Sequence, residues 1–183
     1  GSAGSFGTHK ETLRAGTGII RDHWAVDLRL SDIGSDGYID RASTSLQSYY
    51  LQGAYYGNNT SVRLITFAGE EETYHAWNYA SKEEMQQYGR RYNSCGYMYT
   101  DADGKAHYYD NQTDNYRQQN YQLLVDHQFD NRWSLNAGAH YTKGDGYYQE
   151  YKSNRKLVEY ALQPFFVDGN EVKKSDLVRK KAM

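Results

Sequence analysis

The chain has 183 residues, enough for one ordinary domain, and its 21 basic and 23 acidic residues give no electrostatic case for binding nucleic acid. Twenty tyrosines and 17 glycines stand against a single proline, and the mean hydropathy is very low. No window approaches the roughly 18 apolar residues of a membrane-crossing helix, which excludes that element but not a transmembrane barrel, whose strands turn alternate residues to a polar lumen.

The segment 1–7 is rich in glycine and serine and reads as a loop or a frayed strand end. The first full strand is expected over His9–Ile20, with Leu13, Ala15, Thr17 and Ile19 on one face, and Arg21-Asp22 as its turn. In the next, Trp24, Val26, Leu28 and Leu30 alternate with Ala25, Asp27, Arg29 and Ser31, the charged pair suiting a watery lumen. Ser35-Asp36-Gly37 opens a loop to about Ser43. A third strand follows over Ser45–Gly57, turned by Asn58-Asn59. A fourth spans Thr60–Gly69, where Val62 and Leu64 oppose Ile65 and Phe67, so its facing stays open.

From Glu70 to about Asn115 the alternation stops, a connection far beyond the usual length. Inside it, Ser81-Lys82-Glu83-Glu84 is a capping box that predicts a short helix to about Tyr92, and Tyr97–Tyr109 predicts a small hairpin around Asp103-Gly104. The clearest hairpin comes next, over Tyr116–Asp145. Trp133, Leu135, Ala137, Ala139 and Tyr141 alternate with Ser134, Asn136, Gly138, His140 and Thr142, opposite Tyr121, Leu123 and Val125. This run is too long for an ordinary soluble strand and matches the ~9–11 residues of a tilted strand crossing a bilayer. From Gly146 a second irregular region is expected, with one small hairpin at Phe165–Val172 and a basic end, Arg179-Lys180-Lys181, where the chain simply stops.

Connections at 21–22, 58–59 and 130–131 are tight, while those at 35–43, 70–115 and 146 onward are long. Successive hairpin connections lie at opposite ends of a sheet, so all short turns fall on one side and all long loops on the other. Outer-membrane barrels show that asymmetry.

Gly4-Ser5-Phe6-Gly7-Thr8, Ser35–Ala42, Tyr74-His75-Ala76-Trp77-Asn78, Tyr109–Asn115 and His140–Tyr148 resemble barrel segments of TonB-dependent outer-membrane receptors of the siderophore, haem and cobalamin type. The resemblance covers nearly the whole chain. It implies an all-β, antiparallel up-and-down transmembrane β-barrel segment with long extracellular loops, in the outer membrane of a Gram-negative bacterium. Residues 1–183 then form a partial barrel domain of about six strands, roughly the second to seventh of about 22, with plug domain and remaining strands absent. Implied partners are outer-membrane lipid, the TonB complex through the absent plug, and a ferric siderophore, haem or cobalamin; no cofactor is implied. A rival reading is a soluble all-β binding module recognising carbohydrate or protein through tyrosine-rich loops.

For chemistry the sequence offers little. Asp101, Asp103 and Gly104 lack the spacing of a calcium loop and read as turn residues, Glu70-Glu71-Glu72 as a solvated charge run, and His75, His107 and His140 as too dispersed for a metal site. Cys95 has no partner within the chain, and no nucleophile–base or paired-carboxylate motif suggests an enzyme. The candidate ligand-binding residues are loop aromatics: Tyr74, His75, Trp77 and Tyr79 on the first long loop, and Tyr147, Tyr148 and Tyr151 on the second. They suit stacking on a flat ligand, although a membrane-interface girdle, which puts tyrosines at strand ends in any barrel, is the simpler account of such residues.

Overall fold

The computed structural model describes residues 1–182 and is all-β, about 62% strand and 6% helix. The main sheet is formed by β1 (Ser2–Ala3), β2 (His9–Gly16), β3 (Trp24–Ser35), β4 (Thr44–Tyr56), β5 (Thr60–Tyr74), β8 (Thr113–Gln128), β9 (Ser134–Lys156) and β12 (Lys174–Ala182). Small hairpins are made by β6 (Tyr97–Thr100) with β7 (Ala106–Tyr108), and by β10 (Phe165–Val167) with β11 (Asn170–Val172). Helix α1 spans Lys82–Tyr88. Strands are hydrogen-bonded in the order β1-β2-β3-β4-β5-β8-β9-β12, an open sheet that does not close on itself. Among the described residues no helix is long and apolar enough to cross a membrane, which says nothing of strands.

Two compact units emerge. The first comprises Gly1–Gly37, Ser43–Glu72 and Asn115–Gly146. Its register places Leu13 opposite Leu30 and Leu30 opposite Tyr49, Ala15 opposite Leu28 and Leu28 opposite Leu51, and Trp24 opposite Tyr55. Side chains directly opposite share a face, so these rows build one apolar face. That face is uncovered: Trp24 is 57% exposed, Leu64 59% and Trp133 70%. The other face is polar and internally bonded. Asp126 accepts from Ser61 at 3.1 Å and Asn136 at 2.6 Å and sits 3.6 Å from Arg63, while Thr142 donates to Asn120 at 2.8 Å. These contacts also settle the facing of β5. Ser61 and Arg63 belong to the polar face, so Val62 and Leu64 belong to the apolar one, and Ile65 is buried on the polar side as Ala54 is.

Several boundaries differ from those expected. The first strand ends at Gly16 rather than Ile20, because Gly18, Arg21 and Asp22 all take positive φ in the approach to the turn. Strand β5 runs five residues beyond Gly69, so Glu70-Glu71-Glu72 lie on a strand. The largest correction concerns β9. An irregular region is expected from Gly146, yet the strand continues through Gly144-Asp145-Gly146 to Lys156. The glycines make room for Tyr116: a Cβ at Gly144 would lie 2.5 Å from its hydroxyl, and one at Gly146 2.7 Å from a ring carbon.

The second unit comprises Tyr38–Ala42, Thr73–Asp114 and the segment from Tyr147 on. Here the basic end is a strand, β12, paired along β9 from Lys174↔Lys156 to Ala182↔Tyr147. An irregularity between Ser175 and Leu177 re-aims Asp176, whose carboxylate accepts from Tyr151 Oη, Ser153 Oγ and the Asn154 amide. The main sheet therefore has eight strands where six were expected. The helix follows its capping box: Ser81 Oγ accepts from the Glu84 amide at 3.1 Å and Glu84 returns to the Ser81 amide at 2.8 Å. It stops at Gly89 (φ 93°), one turn before Tyr92.

Candidate functional site

The second unit packs around polar groups. Asn93, only 2% exposed, donates to the carbonyls of His75 (2.9 Å) and Asp40 (3.0 Å) and accepts from the Cys95 amide (3.0 Å). One side chain thus ties the 38–42 loop, the end of β5 and the segment before β6. Arg41 donates to the Asn93 carbonyl and lays its guanidinium 3.4 Å above the Tyr108 ring centroid. Tyr74 donates to the Tyr109 carbonyl at 2.9 Å, and its phenol crosses Gly96, where a Cβ would collide with it and φ is 77°. Burial holds the Tyr74 phenol above its ordinary range, against the neighbouring Arg41.

Next to this hub lies an aromatic cluster. His75 is 2% exposed and stacks on Trp77 at 3.8 Å between centroids, with the Tyr148 ring edge-on to Trp77 at 5.9 Å. The His75 amide donates to the Gln112 carbonyl at 2.8 Å. Its ring Nε2 is 3.4 Å from Asp114 Oδ2 but not aligned for a hydrogen bond, and Nδ1 has no hydrogen-bond partner among the described residues. Burial holds His75 below 6.5, outweighing the pull of Asp114.

On β9 beside Tyr148, Glu150 is buried and ion-paired to Lys152 at 3.1 Å and to Arg179 of β12. Burial pushes its carboxyl up, but hydrogen bonds from Lys152 and Arg179 win, and the net position is below the ordinary carboxylate range. Arg179 and Lys181 also stand 5.6 and 5.9 Å from the Tyr148 ring centroid. This patch therefore combines ring faces for stacking with cations in excess of their carboxylate, an arrangement suited to a flat, anionic ligand.

Of the seven aromatics singled out from sequence, His75, Trp77 and Tyr148 come together, while Tyr74 belongs to the neighbouring polar hub, its hydroxyl on the Tyr109 carbonyl. Tyr151 is near, its amide donating to Gln112 Oε1 at 2.7 Å, but its hydroxyl turns to Asp176 at 2.5 Å and is pushed up to about 12 by that carboxylate. Tyr79 is 99% exposed, and Tyr147 lies under Lys180 at 3.4 Å. Tyr147, Tyr148 and Tyr151 stand on β9 and not in a loop, because β12 holds the strand extended there. Sequence reasoning missed Arg41, Asn93, Gln112, Glu150 and Arg179. Only Arg179 left a trace, as a cation two residues from Lys181 on the same strand face.

The remaining candidates fall into place locally. Asp101 Oδ1 accepts from the amides of Asp103 and Lys105 at 3.1 and 2.9 Å and Oδ2 meets His107 at 2.7 Å, the geometry of a side-chain-closed turn. Among the described residues no group of three or more His, Cys, Asp or Glu is placed to hold a metal ion, and Cys95 is a buried free thiol. A hollow of about 760 Å³ in the first unit is walled by Leu13, Leu30, Ser48 and Gly69 and shares no residue with the aromatic cluster. Comparison with protein-family models, with curated proteins and with solved structures gave no match.

Proposed function

We propose that this chain supplies barrel strands of a TonB-dependent outer-membrane receptor, which takes up a ferric siderophore, haem or cobalamin. The observation that carries the reading is a boundary on the apolar face. Stepping two residues along each strand, Leu13 gives way to Glu11, Leu30 to Asp32, Tyr49 to Gln47, Tyr121 to Gln119 and Tyr141 to Lys143. In register, Glu11, Asp32 and Gln47 form one charged and polar row directly beyond the apolar rows, with Gln47 donating to Asp32 at 3.0 Å. From the Trp24/Tyr55 row to the Leu30/Tyr49 row the strand advances about 20 Å at ~3.4 Å per residue, and aromatic residues mark both limits. A hydrocarbon slab with interfacial girdles demands such a band, level across neighbouring strands. The edges of the open sheet and its uncovered face would be completed by further strands and lipid.

In this reading Trp77, Tyr148, Arg179 and Lys181 contribute to the extracellular ligand site. The test is tryptophan quenching in vesicles containing brominated lipid. Trp24 and Trp133 lose fluorescence and Trp77 does not. A protein that stays monomeric without detergent, melts cooperatively and shows no quenching at Trp24 or Trp133 supports the soluble binding module and sinks the receptor reading. Growth of a deletion strain on haem, cobalamin and individual siderophores identifies the cargo.

A further inference from the structure

On the polar face of the first unit, the β2–β3 register sets Arg14 directly opposite Arg29, and the β3–β4 register sets Arg29 opposite Tyr50. Two guanidinium groups on adjacent strands in the same row repel each other, and an anion between them relieves that cost. Yet among the described residues neither Arg14 nor Arg29 has a carboxylate within 4.0 Å, whereas Arg63 on the same face is paired with Asp126. The acid in the adjacent row, Asp27, lies over Gly16, where a Cβ would stand 2.7 Å from its Oδ1. A cavity of about 490 Å³ opens at this point, walled by Arg14, Gly16, Asp27, Arg29 and Tyr50. The Tyr50 hydroxyl is already committed to Gln52 Oε1 at 2.8 Å, so its ring forms a fixed side wall.

We propose that Arg14 and Arg29 form a clamp for a carboxylate. Two planar forks side by side offer parallel N–H donors that match the two oxygens of one carboxyl group. The negative charge of Asp27 one row along disfavours a doubly charged phosphate in the same space. The carboxylate belongs either to a small molecule or to an Asp or Glu of polypeptide packed on the polar face. The inference stands on the polar face alone, whether or not the sheet is part of a barrel.

Phenylglyoxal modification of the intact protein in detergent micelles, read residue by residue by mass spectrometry with exposed Arg132 as reference, tests it with glutarate as the probe. Protection of both Arg14 and Arg29 by glutarate, at least tenfold and with inorganic phosphate weaker, assigns the clamp to free carboxylates. Protection already present without glutarate, with Arg29 becoming reactive in Arg14→Gln, assigns it to a carboxylate of the polypeptide. Two results overturn the proposal: both arginines reacting as fast as Arg132 with and without glutarate, or protection of Arg29 that Arg14→Gln leaves unchanged.

Discussion

Replacing Asn93 by alanine removes one side chain and leaves three backbone groups without partners: the carbonyls of His75 and Asp40 and the amide of Cys95. Two of these bonds are buried and one is half-buried. A buried group left unsatisfied costs about 1–3 kcal/mol, and water can relieve the half-buried carbonyl at Asp40. The loss is therefore about 3 kcal/mol for opening of the second unit, equivalent to about a 100-fold rise in its open population. Native-state hydrogen exchange reads this directly at the amides of His75, bonded to the Gln112 carbonyl, and Tyr109, bonded to the Gly96 carbonyl. Both should exchange about 100-fold faster in Asn93→Ala, while amides of the β3–β4 ladder keep their protection. A change below about tenfold, or equal loss of protection on β3 and β4, would refute the assignment of Asn93 as the tie between these segments.

On the proposed receptor reading, Leu135→Arg on the apolar face should lower stability in lipid by about 2–4 kcal/mol in a refolding titration, whereas Asn136→Arg, which points at the Asp126 carboxylate, should be nearly neutral. Lowered His75 means the unfolded chain binds more protons than the folded one below pH 6.5, so the second unit should weaken as pH falls through that point. His75→Gln should flatten this dependence in a pH series of exchange measurements. Glu150 has the same sign for a different reason: its depressed carboxyl stabilises above the ordinary carboxylate range and that contribution disappears on acidification through the folded value, so Glu150→Gln should remove the acid-end slope. Spectrophotometric titration should find Tyr151 ionising at about pH 12, and Asp176→Asn should bring it back toward the ordinary range.

Much of the first unit is legible in sequence because each strand there obeys one rule, alternation, and each tight turn carries its own chemistry. Trp24 to Leu30 and Trp133 to Tyr141 announce their face without help. Strand β5 does not, since Ile65 is apolar yet buried on the polar side; only the pairing of Ser61 and Arg63 with Asp126, 63 and more residues away, fixes the face. The continuation of β9 was hidden for a related reason. Gly144 and Gly146 are there for Tyr116, a partner distant in sequence, and glycine between polar residues reads as a bend. Strand β12 shows no alternation because its cations are matched one by one to Glu150, Tyr148 and Tyr147. The aromatic cluster was half legible: residue types pointed to His75, Trp77 and Tyr148, but nothing local marks Asn93 as the side chain that holds the His75 carbonyl.

That Tyr148 and Glu150 stand on a paired strand changes what capture of a ligand would cost. A free loop must surrender backbone freedom each time it closes on its target, about 1–2 kcal/mol for every residue fixed. Here β12 has already imposed that order, so the walls are rigid before anything arrives, and affinity rests on side-chain fit. On the proposed function, preference for a different cargo would then change by exchanging single rings or cations while the backbone stays as it is.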